Sequence, residues 1–228
     1  VGTFNNRLLL VGISQKNKVV QTVTYGGNSM TLVGEEKSRN AKIHIYKMLN
    51  PPSGTANVVV TLDANPDQGI VVGAVSFSGV NQTTPLGTFN SFKDKSTTAS
   101  VDISSAVGEL VFDVATYKNT TMSADGSQTE LYNIDTGGEI NGGGASIKDG
   151  AATPVTMSWT ATGSEDWAIG GVSIKPATFV SAVTFTQTPV LCDDLVINTD
   201  IITISAYTNI VNGTMPASPD ISAVLKNG

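Results

Sequence analysis

One cysteine, one histidine and few charges narrow the chemistry open to this chain. A single thiol, Cys192, excludes an intrachain disulfide and reads as a small hydrophobe. The only histidine, His44, sits in mid-strand between Ile43 and Ile45, so any second imidazole for a metal site or a serine or cysteine triad is missing. Charged residues make up 14% of the chain, against about 25% in a typical domain. The 13 basic residues are scattered and outnumbered by 19 acidic ones, for a net charge of −6. Binding to phosphate backbones or anionic membrane surfaces needs clustered Lys and Arg, so nucleic acid and such membranes are poor partners. Aromatics amount to 6%. No apolar run approaches the ~18–20 residues of a membrane span, and helical periodicity is nearly absent.

What is present is β-branched sequence cut by Gly, Asn, Pro and Ser. The alternation predicts strands at about 7–14, 18–25, 29–35, 41–49, 56–62 and 69–79, a linking pair at 86–92 and 98–104, and a second series at 109–117, 128–134, 144–148, 154–160 and 166–175. In "AKIHIYKML", Ile43 and Ile45 share one face while Lys42, His44 and Tyr46 share the other; in "VTMSW", Val155, Met157 and Trp159 align on a core face. The opening "VGTFNNRLLLVGIS" carries no signal peptide and starts already at a strand, which reads as the cut edge of a longer polypeptide.

The two series echo each other. "RLLLVGISQKN" (7–17) returns as "ELVFDVATYKN" (109–119) at an offset of 102. "GGNSMTL" (26–32) returns as "GSQTELY" (126–132) at 100, and the stretch 58–80 returns as 155–177 at 97. Constant order with a slowly drifting offset is what loop-length changes between two copies of one unit produce. The copies pack face to face, because neither buries its apolar face alone. The expected fold class is therefore all-β: a jelly-roll-like two-sheet antiparallel β-sandwich with internal pseudo-duplication over 1–177, plus a C-terminal partial β segment over 178–228. That segment holds strand-like runs at 181–186, 195–198, 201–207 and 221–225, too few for an independent sandwich of about 7 strands. It is either the start of an Ig-like module or a tail that donates strands elsewhere.

"NRLLLVGIS", "VTYGGNSMTLV", "IYKMLNPPSGTANVVVTL", "GAVSFSGVNQTTPLG" and "DWAIGGVSIKPA" together resemble a lectin-like (concanavalin-like) or jelly-roll β-sandwich module of bacterial secreted and cell-surface multidomain proteins. The resemblance covers about residues 4–177, and the Asn-Pro-Pro-x-Gly-Thr turn with its following Val run is its most specific part. The tail resembles the opening of a further Ig-like module. The resemblance implies export, modular architecture and adhesive or structural service, and it brings no catalytic motif.

Candidate ligand-binding residues are few. Sugar-binding modules stack rings on exposed aromatics, for which Trp167, Tyr46 and Tyr132 are the candidates. "DANPDQG" puts Asp63, Asn65 and Asp67 at alternate positions, a possible oxygen set for Ca²⁺, although the sixth and twelfth positions of an EF-hand loop are Gln68 and Ala74 here; the competing reading is a polar hairpin loop. "GGEINGGGAS" (137–146) lacks the Lys-Ser/Thr of a phosphate loop and reads as a flexible turn. Glu109, Glu130, Asp113 and Asp166 show no spacing that selects a catalytic pair. No cofactor is implied beyond that possible Ca²⁺. The expectation is a non-enzymatic extracellular surface module, adhesive or structural, partnered by other copies of itself or by neighbouring modules. One form of it is a filament subunit exchanging strands through the C-terminal segment. The alternative is a carbohydrate-binding module, calcium-dependent or not, for cell-surface glycans.

Overall fold

The structure, a computed structural model, describes residues 1–66, 69–136 and 141–177, together with the strand backbone at 199–204 and 221–226. Two compact units result, Val1–Ala177 and Thr178–Gly228. The described residues form strands and no helix, so no helix among them is long and apolar enough to cross a membrane.

The first half of the large unit runs β1 (Leu8–Gln15), β2 (Val20–Tyr25), β3 (Asn28–Ser29), β4 (Thr31–Lys37), β5 (Lys42–Leu49), β6 (Val58–Leu62) and β7 (Ile70–Phe77). The second half follows with β8 (Asn90–Ile103), β9 (Leu110–Lys118), β10 (Met122–Ala124), β11 (Thr129–Asp135), β12 (Asn141–Asp149) and β13 (Val155–Ile174). In the small unit β14 (Thr199–Ile204) pairs antiparallel with β15 (Ile221–Lys226). The expected runs at 181–186 and 195–198, and Cys192 with them, lie outside the described residues.

Each half contributes one main antiparallel sheet. The first has the order β4-β5-β1-β7, the second β11-β12-β9-β13, extended beyond β13 by β8. Pairing register repeats between them. Leu8 faces Leu49 on one side and Phe77 on the other; Leu110 faces Asp149 and Ile174. These equivalences carry offsets of 102, 100 and 97, the values at which the sequence echoes itself. A bulge recurs too: Val33 is skipped opposite β5, and Leu131 is skipped opposite β12. The chain is thus an antiparallel sandwich with an internal pseudo-duplication.

The two sheets meet across a shared core of Leu8, Leu10, Ile43, Ile45, Phe112, Val114, Ala145 and Ala168. Each fully buried aliphatic side chain there contributes roughly 1.5–3 kcal/mol. Both sheets also have a covered outer face. Over the first lies the small sheet β3-β2-β6, enclosing Leu9, Val11, Ile13, Val23, Tyr25 and Tyr46. Hence every residue of β1 is buried, and both faces of β5 are too: Ile43 and Ile45 join the shared core while Tyr46 joins the outer one. The hairpin from β2 to β3 turns on Gly26 (φ 55°) and Gly27 (φ 81°), the left-handed pair of a two-residue turn whose twist matches the strands.

The second half covers its outer face differently. Residues from both ends of β13 (Val155, Met157 and Trp159; Trp167 and Ile169) share one cluster with Ala99, Val101 and Ile103 of β8. The sheet therefore curls over itself at the irregularity between Thr160 and Glu165. Three readings of the sequence are corrected here. The expected strands at 154–160 and 166–175 are one strand, because β8 pairs along both and carries "TGSE" through as a bulge rather than a turn. The linking pair is likewise one strand, the polar run "KDKSTT" being the solvated edge of a sheet. The glycines after Asn141 are strand, not flexible turn: a Cβ on Gly143 would lie 2.7 Å from Ser14 and Val71 Cβ atoms, and one on Gly144 2.5 Å from the Trp159 ring, so glycine lets the layers close. Residues 137–140 lie outside the described residues.

Candidate functional site

The side chains with chemical potential lie in three places. The first is a buried polar network on β9, β12 and β13. Asp113, fully buried, accepts hydrogen bonds from the Ser146 backbone N–H (2.8 Å), the Ser146 hydroxyl (2.7 Å) and the Trp159 indole N–H (2.8 Å). Gln128 extends it, donating to Ser146 Oγ (2.7 Å) and accepting from the Ser158 N–H (2.6 Å). Burial raises the Asp113 pKa to about 6, against the lowering pull of those donors. The network ties three strands together across the second half's outer core. Its equivalents in the first half, Val11, Tyr46 and Leu62, are mostly apolar, so the sequence signal that could have found it was an Asp inside the otherwise apolar "ELVFDVATY".

His44 is the second. It is 2% exposed, and neither ring nitrogen has a hydrogen-bond partner. Glu35 Oε2 lies 3.0 Å from both His44 Nδ1 and Lys42 Nζ, but its approach to the ring lacks hydrogen-bond geometry. Desolvation, with the Lys42 charge second and opposed by Glu35, lowers its pKa to about 4, so the ring is neutral near pH 7. Its ring packs between layers beside Tyr46, at a centroid distance of 6.3 Å.

The third is a groove of about 570 Å³ beside β6 and β7, lined by Val58, Val60, Leu62, Pro66, Ile70 and Val72 among others. It is open, mixed in polarity because Thr61 and Asn65 also line it, and borders strands at the ends of their sheets.

The aromatic candidates are not brought together. Trp167 is 2% exposed, donates its indole N–H to Ser96 Oγ (2.9 Å) and packs under Phe92 at a centroid distance of 5.8 Å. Tyr46 is 8% exposed in the first half's outer core. The Tyr132 ring enters the shared core and lies over Gly73 and Gly12, where an added Cβ would come within 2.0 Å and 2.5 Å of it; burial pushes its hydroxyl pKa up, with the Asp113 charge as the second cause. In the candidate cation set, Asp63 Oδ1 accepts from the Val19 N–H (2.9 Å), Asn65 is exposed, and Asp67 lies outside the described residues. No group of three or more His, Cys, Asp or Glu suited to a metal occurs among the described residues. The carboxylates have separate duties: Glu109 caps the Ala106 N–H, Glu130 accepts from Asn133, and Asp166 accepts from Asn40. Compared with known proteins, the chain matches no family model, no curated protein and no solved structure.

Proposed function

We propose that the chain is a non-enzymatic extracellular module with a structural or adhesive role in a larger bacterial surface assembly, in contact with neighbouring modules or other copies of itself. One observation carries this reading: its polar and aromatic groups of chemical potential are spent as struts. Asp113, Ser146, Gln128 and Trp159 bond strand to strand, while His44, Tyr46, Tyr132 and Trp167 fill the spaces between layers. Such a use of side chains stiffens a sandwich. Low charge, a surface of Thr, Ser and Asn, and the resemblance of residues 4–177 to modules of exported proteins support the location. In this reading the β14–β15 segment belongs to a following module or to a strand-exchanging contact.

Protease shaving of intact cells that make the natural polypeptide tests it. Release of peptides from residues 1–177 without lysis is the expected result; complete protection until lysis contradicts it. A glycan array probed with and without a chelator separates a structural role from sugar binding, since calcium-dependent signal would replace this reading with the carbohydrate-binding one.

A further inference from the structure

Asp113, Ser146 and Gln128 are arranged more specifically than a strut requires. β12 lies between β9 and β11, and Ser146 pairs with Asp113 on one side and Glu130 on the other. Paired residues of an antiparallel ladder share a face, so the Ser146 hydroxyl meets the Asp113 carboxylate, 2.7 Å from Oδ1. The same hydroxyl accepts the Gln128 side-chain N–H at 2.7 Å. Gln128 Oε1 accepts the Ser158 backbone N–H at 2.6 Å, and this fixes which way the amide points, because a backbone N–H only donates. The turn that carries Gln128 is itself anchored to β13. The Gln128 N–H donates to Asp125 O (2.9 Å), and the Asp125 N–H donates to Ser158 O (3.0 Å). At the equivalents of Asp113 and Ser146 the first half pairs Val11 with Tyr46 in an unbroken ladder, so the fold does not call for the trio.

Each member has the place of a part in acyl transfer. A hydroxyl that donates to a carboxylate and touches an amide is a nucleophile between its base and its electrophile. The Ser158 N–H sits on the amide oxygen, where negative charge develops when the carbonyl carbon is attacked. The Trp159 indole N–H and the Ser146 backbone N–H hold the carboxylate in place. Burial also makes that carboxylate a stronger base than an exposed one. Asp113 and Ser146 are 0% exposed, which keeps competing water from the reacting atoms. Gln128 is half-buried, so its nitrogen has a way out to solvent.

We propose that the folded chain cross-links itself by an ester between Ser146 Oγ and the side-chain carbonyl carbon of Gln128, with Asp113 as general base. A rotation of the amide about its Ser158 contact brings Cδ to face the hydroxyl in place of Nε2. Ser146 Oγ then bonds to Cδ as its proton passes to Asp113 Oδ1. The Cδ–Nε2 bond breaks, and the nitrogen takes the proton back from Asp113 and leaves as ammonia. One alcohol and one amide give one ester and one ammonia, with no oxidant, reductant or co-reactant. Ammonia lost to solvent prevents the return, and the fixed geometry replaces a bimolecular encounter. Ser146 and Gln128 are consumed, so the reaction runs once per chain and has no turnover. The bond joins residues 18 positions apart and staples the turn before β11 to β12. This inference does not depend on where the protein is located or on its adhesive role.

The test is peptide mapping of the 228-residue chain after it has been held folded at neutral pH for several days. Cleavage after Glu130 and Glu139 separates Gln128 from Ser146 in an unlinked chain. The expected result is that the two fragments stay joined, lighter than their sum by one ammonia, and come apart in hydroxylamine, which cleaves esters. Gln128→Glu, which keeps an acceptor for the Ser158 N–H but offers an unreactive carboxylate, gives no joined pair. Asp113→Asn forms the pair about a hundredfold more slowly or worse. Circular dichroism checks the fold of both variants, and the parent's own map decides the matter if Asp113→Asn does not fold. Separate fragments of full mass from the folded parent overturn the proposal. Ammonia loss confined to an Asn-Gly step such as Asn141-Gly142 overturns it too, and so does linking at an equal rate in a folded Asp113→Asn chain.

Discussion

Two titrating groups sit where water does not reach, and they act in opposite directions. Asp113 has its folded-state pKa raised to about 6, above an unfolded value near 3.8. Its contribution is full below the unfolded value and is lost as pH rises through 6. His44 has its folded-state pKa lowered to about 4 from 6.5, so its contribution is full above 6.5 and is lost as pH falls through 4. Over the window from 4 to 6 the two slopes offset one another. Substituting either group uncovers the other. Relative to the parent chain, Asp113→Asn gains stability as pH rises from 4 to 6, and His44→Gln loses it. Each change is a few kcal/mol at most, since a tenfold difference in proton affinity between folded and unfolded chain is worth about 1.4 kcal/mol. Chemical denaturation at pH 4, 5 and 6 measures both. Trp159→Phe removes one of the donors that hold the Asp113 carboxylate, so its folded pKa rises further and the loss of stability moves to higher pH; the cost of leaving that carboxylate short of a partner is about 1–3 kcal/mol. The individual side chains of the site were poorly legible in the sequence. Asp113, Ser146 and Trp159 are far apart along the chain and form no motif. Trp167 and Tyr46, candidate sugar platforms by residue type, are buried because outer layers cover the faces that a two-layer sandwich leaves open.

Strands are a different matter. Alternation in "VTMSW" marks a core face, and Val155, Met157 and Trp159 are 5%, 0% and 0% exposed. Alternation fails for β1, whose apolar run has two buried faces, and for β8, whose polar middle has its backbone partner on one side only. β10 escaped notice altogether, since three residues carry no period. The burial of β8's inward face has an energetic signature. Val101, 5% exposed on β8, loses about 2 kcal/mol on substitution by Ala, the value of two buried methyl groups. Val59 on β6 is 51% exposed, and its change to Ala stays within about 0.5 kcal/mol. Urea titration of Val101→Ala and Val59→Ala separates the two cases, and equal losses contradict the placement of Val101 in the core and of Val59 at the surface.

At the scale of the whole molecule, the duplication was legible because insertions leave strand order and pairing register alone. The drift from 102 to 100 to 97 records loop lengths, and the paired positions Leu8–Phe77 and Leu110–Ile174 return the same offsets in space. What the offsets do not carry is how the halves fill the space between them. Register places Gly34 of β4 opposite Ile45 and Tyr132 of β11 opposite Ala145, equivalent positions in the two halves. Tyr132 crosses to lie on Gly73 of the first half; Phe89 fills the corresponding space against Gly34 and Gly170. One slot is thus occupied by a ring from the equivalent position and the other by a ring from the segment before β8, a choice made by volume that no internal repeat announces. The contact between Gly73 and Tyr132 joins the two halves directly, and a double-mutant cycle on it is the most direct test of their face-to-face packing. Gly73→Ala should cost about 1–3 kcal/mol in the parent chain, where its Cβ meets the Tyr132 ring, and less than about 0.5 kcal/mol in a Tyr132→Ala background. An equal cost in both backgrounds would mean that the two sheets do not meet at this point, and the account of two equivalent halves closed around one core would be contradicted.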